Sequence, residues 1–133
     1  MESGHLPDSA ISASTSASSN HIPQFGRLNK IPAKGKAGAW CAKSNDGNQW
    51  LQISFGRETT VTKVATQGRY DADQWVTSYS LSHSVDGVHW AWYRLSDGHI
   101  KVQSTNEIIV LIVLTCAECN ANEGKSIVLA HLH

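Results

Sequence analysis

The stretch Thr77-Ser78-Tyr79-Ser80-Leu81-Ser82-His83-Ser84-Val85, followed by Asp86-Gly87 and then Val88-His89-Trp90-Ala91-Trp92, decides the fold. Its period is two. Thr77, Tyr79, Leu81, His83 and Val85 fall on one side of an extended chain, and Ser78, Ser80, Ser82 and Ser84 fall on the other. A slip of one residue would invert every side chain, so the register is well specified. Asp-Gly between two such runs predicts a tight hairpin, because the two central residues of its turn need positive φ.

The same texture extends outward. Leu51, Ile53 and Phe55 share one face of a run closed by Gly56. Val61 to Thr66 is rich in β-formers, and Asp97-Gly98 marks another turn before Ile100-Lys101-Val102. Residues 20–49 carry Pro23, Pro32, Gly26, Gly35, Gly38 and Gly47 and no helical period, so they read as loops. Residues 9–19 are low in complexity and fit either a linker or an edge strand at Ile11-Ser12-Ala13-Ser14. Short strands, frequent turns and no convincing helix predict an all-β sandwich or barrel.

Composition narrows the function classes. The chain has 133 residues, one domain's worth, with 11 Lys+Arg against 11 Asp+Glu. Zero net charge gives no argument for nucleic acid. The longest apolar run, Ile108 to Leu114, is too short to span a bilayer and fits a buried strand. Residues 1–25 show neither a basic nor an apolar export region. Three cysteines cannot all pair within one chain. Gly-x-Ser-x-Gly, His-Glu-x-x-His and phosphate-loop motifs are all missing, so the reading is a non-enzyme.

Several motifs together resemble the discoidin family, also called the coagulation factor 5/8 type C domain. They are Trp50-Leu51-Gln52-Ile53, Ala65-Thr66-Gln67-Gly68-Arg69, Asp71-Ala72-Asp73-Gln74-Trp75-Val76-Thr77-Ser78-Tyr79 and Ser84-Val85-Asp86-Gly87-Val88-His89-Trp90, in that order. Met1-Glu2-Ser3-Gly4 looks like the family's N-terminal signature, and Ala39-Trp40-Cys41 is similar to the slime-mould discoidins. The resemblance implies a jelly-roll of two antiparallel sheets and a secreted or cell-surface binding module. It implies ligands such as galactose-type glycans, anionic phospholipid or protein, held by loops at one end of the barrel. Those loops would be 19–29, 40–48 and 69–75. The resemblance covers residues 1–103. Nothing after Ser104 matches the family's closing strands, so residues 104–133 read as a non-matching tail and the fold as open to being incomplete there.

Within these loops, the ligand candidates are His21, Ile22, Phe25 and Arg27 in the first and Arg69, Tyr70 and Asp71 in the third. An apolar pair beside a cation suits a membrane interface or a sugar face. Arg69, Tyr70 and Asp71 offer a donor, an aromatic face and an acceptor, which suits a glycan. Trp75 and Asp73 read instead as a strand anchor and a loop cap. Trp40, Trp50, Tyr79 and Trp90 read as core or sheet-face packing. Asn45-Asp46-Gly47-Asn48 is a turn that lacks a full Ca²⁺ ligand set, so no cofactor is expected. Cys116-x-x-Cys119 with His131 and His133 lacks zinc-site spacing, and Cys41 reads as a half-buried thiol.

The expected function is an extracellular module that recognises cell-surface glycan, galactose-like, and supports adhesion. Avidity would come from a homo-oligomer or tandem domains. Two alternatives stand beside it: an anionic phospholipid-binding module, and a truncated fragment with no competent site.

Overall fold

The computed structural model of the chain describes residues 6–61, 64–104, 116–117 and 127–132. Eight strands occur among them: β1 (Ile11–Ala13), β2 (Trp50–Ser54), β3 (Thr60–Val61), β4 (Ser78–Ser84), β5 (Ala91–Trp92), β6 (Val102–Ser104), β7 (Cys116–Ala117) and β8 (Ile127–Leu132). All pairings are antiparallel. The main sheet runs β1-β2-β8-β4-β5, with β6 also paired to β4, and β3 and β7 form a second sheet. The helical content of the described residues is two single 3-10 turns, Asp8–Ala10 and Pro23–Phe25. The fold class is therefore the all-β one that the alternation demands. The Ile108–Leu114 run, Cys119 and His133 lie outside the described residues.

The central strand of the main sheet is β8. It pairs with β2 from Trp50↔His131 to Ser54↔Ile127 and with β4 from Tyr79↔Leu132 to Ser84↔Ile127. Ala130 sits between Leu51 and Leu81, so a small residue separates two leucines on the buried face. That face joins Ile11, Leu51, Ile53, Tyr79, Leu81, Ala130 and Leu132 to Ala39 and Trp40 in one core. Each large aliphatic buried there contributes about 1.5–3 kcal/mol over its exposed state. Trp40 is buried as its pattern implied, and its indole N–H donates to Thr15 O at 2.8 Å. Ile11–Ala13 is an edge strand rather than a linker, held in register on β2 by Ile11↔Ile53.

The alternation in β4 does not separate a buried side from an exposed one: Ser80, Ser82 and Ser84 are buried, whereas His83 and Val85 are exposed. The reason is the neighbours that the sequence pattern does not reveal. Trp92 lies opposite Ser82, His131 comes within 3.1 Å of the Ser82 hydroxyl, and the two rings pack at 4.4 Å. Small hydroxyls fill the space beside these rings. Asp86-Gly87 does not make a two-residue hairpin turn either. Pairing ends at His83↔Ala91, and Asp86 organises a longer loop by accepting from the N–H groups of Val88 and His89. Trp90 stands in that connection, 36% exposed, and not in the core.

Candidate functional site

Residues 20–49 and 64–77 hold no strand, and they lead directly into β2 and β4. Three loops meet near Cys41. Cys41 N–H donates to His21 O at 3.3 Å, and Ala17 N–H donates to Cys41 O at 2.8 Å. The Cys41 thiol faces Gln74 Oε1 at 4.0 Å. Burial pushes the thiol pKa up, while the nearby Arg69 guanidinium opposes that shift.

Between loops 40–48 and 69–77 lies a half-open cleft of about 490 Å³. Trp40, Gln49 and Leu132 line it, and all three are buried residues; the exposed residues along it include Lys43, Asn45 and Asp46 from one loop and Asp73 and Trp75 from the other, with Arg69 beside them. Trp75 is 53% exposed. It is thus available as an aromatic surface.

Arg69 organises the third loop. Its Nε donates to Asp71 Oδ1 at 2.6 Å and its Nη1 donates to Gln74 Oε1 at 2.7 Å. The Asp71 contact holds the guanidinium pKa above its ordinary value and holds the carboxyl below its own. Asp71 is therefore engaged inside its own loop and does not line the cleft. Tyr70 is 74% exposed and is not among the residues that line the cleft.

The second loop is set by Gln49, a residue that the motif reading passes over. Its Oε1 accepts from the Ser14 and Thr15 hydroxyls at 2.7 and 2.6 Å, and its Nε2 donates to Asp46 Oδ1 at 2.9 Å. Its backbone oxygen accepts from Leu132 N–H at 2.8 Å. Gln49 therefore ties the segment just after β1, the second loop and β8 together. The signal for it was faint: a polar residue next to the Trp50 run, with partners more than thirty positions away.

The first loop contributes less to the cleft. Arg27 Nη2 donates to Asp8 Oδ1 and to Leu6 O, each at 2.7 Å. Its side chain is 12% exposed. His21 Nδ1 meets the Ser18 hydroxyl at 2.8 Å, Phe25 lies under the Lys36 ammonium at 5.4 Å, and Ile22 is half-buried. The structure brings Arg69 to the cleft with Trp75 and Asp73; His21, Ile22, Phe25, Arg27, Tyr70 and Asp71 lie outside its lining.

The described residues thus form an antiparallel all-β fold whose loops 40–48 and 69–77 border an open cleft. The sequence profile of the F5/8 type C domain matches residues 10–122, and the chain belongs to that family of binding modules. It is 38% identical over 111 residues to lactadherin of Mus musculus, covering 80% of this chain and 24% of that protein. It is 38% identical over 99 residues to the human EGF-like repeat and discoidin I-like domain-containing protein 3, covering 71% of this chain and 21% of that one. The solved structure of wild-type discoidin II from Dictyostelium discoideum superposes with a TM-score of 0.69 at 28% identity, over 91% of this chain and 48% of that one. The fold is thus the discoidin jelly-roll of the galactose-binding-like class. The chain spans about a quarter of the length of these curated relatives.

Proposed function

We propose that this domain is an extracellular recognition module that binds a galactose-like glycan in the cleft between loops 40–48 and 69–77. The observation that carries the reading is Trp75, half exposed on the wall of a cleft that also holds Arg69, Asp73 and Asp46. An aromatic face packs on the apolar face of a hexose. Carboxylates accept from its hydroxyls, and guanidinium and ammonium groups donate to them. Affinity at one such shallow site is weak, so repeated domains or an oligomer supply avidity.

The test is retention of the folded chain on an immobilised galactose resin with elution by free galactose. Trp75→Ala should abolish retention with little change in thermal midpoint, since the side chain is half exposed. Retention unchanged in that variant, or none in the wild-type chain, would sink the reading.

A further inference from the structure

The charge of this neutral chain is segregated. Residues 9–45 hold five cationic side chains, Arg27, Lys30, Lys34, Lys36 and Lys43, and no carboxylate. Arg27 is paired with Asp8. Lys30, Lys34 and Lys36 are exposed in the loop that precedes the cleft, and among the described residues no carboxylate forms an ion pair with them. Lys43 lines the cleft itself.

The loop that presents these lysines is built, not a loose tether. Asn29 N–H donates to Gln67 Oε1 at 2.7 Å. Ala33 and Lys36 exchange backbone hydrogen bonds at 3.0 and 2.7 Å. Lys36 Nζ rests over the Phe25 ring. Gly38 closes the base with φ +66°, where an added Cβ would come within 2.8 Å of Lys30 O and Pro32 N. Holding like charges together on an ordered loop costs free energy unless an anion offsets it.

We propose that the loop Asn29–Lys36 is a docking element for a polyanionic glycan, a chain bearing sulfate or uronate groups, contacted by Lys30, Lys34 and Lys36. The inference extends the glycan reading but uses a separate set of side chains. Clustered lysines with no acidic neighbour attract polyanions through a summed field, and salt screens that attraction. The competing occupant is an anionic bilayer, because Ile31 stands 70% exposed between the lysines. Asp46 and Asp73, exposed along the cleft that Lys43 also lines, weigh against it by repelling anionic headgroups. A linear polyanion lies along the lysines and avoids the carboxylates.

The experiment compares the wild-type chain, Lys30→Gln/Lys34→Gln/Lys36→Gln and Ile31→Ser on a heparin resin, a galactose resin and phosphatidylserine vesicles. The expected result is salt-sensitive heparin binding that the triple variant weakens about tenfold, a loss of about 1.4 kcal/mol. Ile31→Ser should bind heparin like the wild type, and the triple variant should keep its galactose elution. Equal heparin affinity in the triple variant overturns the proposal, as does the absence of any heparin binding. Vesicle binding that needs Ile31 assigns the loop to a bilayer and also overturns it. Loss of galactose binding alone would instead count against the cleft reading.

Discussion

Gln49 donates its side-chain amide to Asp46 Oδ1 at 2.9 Å while the same Oδ1 accepts the N–H of Asn48 at 3.0 Å. The carboxylate that lines the cleft is therefore positioned by neutral N–H donors, and among the described residues no ion pair to it occurs. Gln49→Glu keeps an acceptor for Ser14 and Thr15 but sets a second carboxylate against Asp46. The new acid's folded pKa is then raised above its unfolded value. Its contribution is intact below pH about 4.3 and is lost as pH rises through the folded pKa. Denaturant melts should show the variant near wild-type stability at pH 4 and about 1–3 kcal/mol less stable at pH 7. A pH-independent loss would contradict this role for the amide.

The Asp86–His89 pair predicts a second pH effect. His89 Nδ1 lies 2.7 Å from Asp86 Oδ2, which raises the His89 pKa and helps hold the Asp86 carboxyl well below the usual range. The His89 contribution is present below its unfolded pKa of about 6.5 and fades as pH rises through the folded value. The Asp86 contribution is present above about 3.9 and fades as pH falls. NMR titration should find His89 titrating above the ordinary histidine value and returning to it in Asp86→Asn. That variant retains an oxygen to accept from Val88 and His89, so the loop itself should persist.

Arg27 is expected to matter for stability and not for ligand. Its guanidinium is tied to Asp8 and Leu6 O. Arg27→Gln should lower stability by about 1–3 kcal/mol and leave galactose-resin retention unchanged. Retention that falls in a variant with an unchanged melt would return Arg27 to the ligand surface.

Leu132 joins the sheet core to the cleft. Leu132→Ala removes a buried aliphatic side chain between the two and should cost about 2–5 kcal/mol. Deleting residues 127–133 should do more, because β2 and β4 would lose their shared partner. The check is near-UV circular dichroism: the deleted chain should lack a cooperative aromatic transition, and one that retains it would show that the main sheet closes without β8.

Much of the sheet was legible because its signal is local. Leu51 and Ile53 alternate with polar residues, and Tyr79 and Leu81 do the same, so a single window reports both strand and inward face. Ile127–Leu132 gives no such report: Ile127-Val128-Leu129-Ala130 is continuously apolar, as suits a strand flanked on both sides. The cleft was half legible. Arg69 belongs to a recognisable motif, but no local pattern distinguishes a Trp75 that turns outward from one that packs under β4. Gln49 was illegible for a different reason. Its role comes from Ser14, Thr15 and Leu132, which the sequence separates widely and only the closed sheet assembles.

The placement of β8 also sets an order of events during synthesis. β2 and β4 are hydrogen-bonded to the same strand, and that strand is made more than forty residues after β4 ends. Until then, Leu51, Ile53 and Leu81 belong to two sheet fragments with nothing between them. Such long-range pairing is slow to nucleate. During synthesis the β2 and β4 edges that β8 covers therefore lack that partner until residues 127–132 have been made.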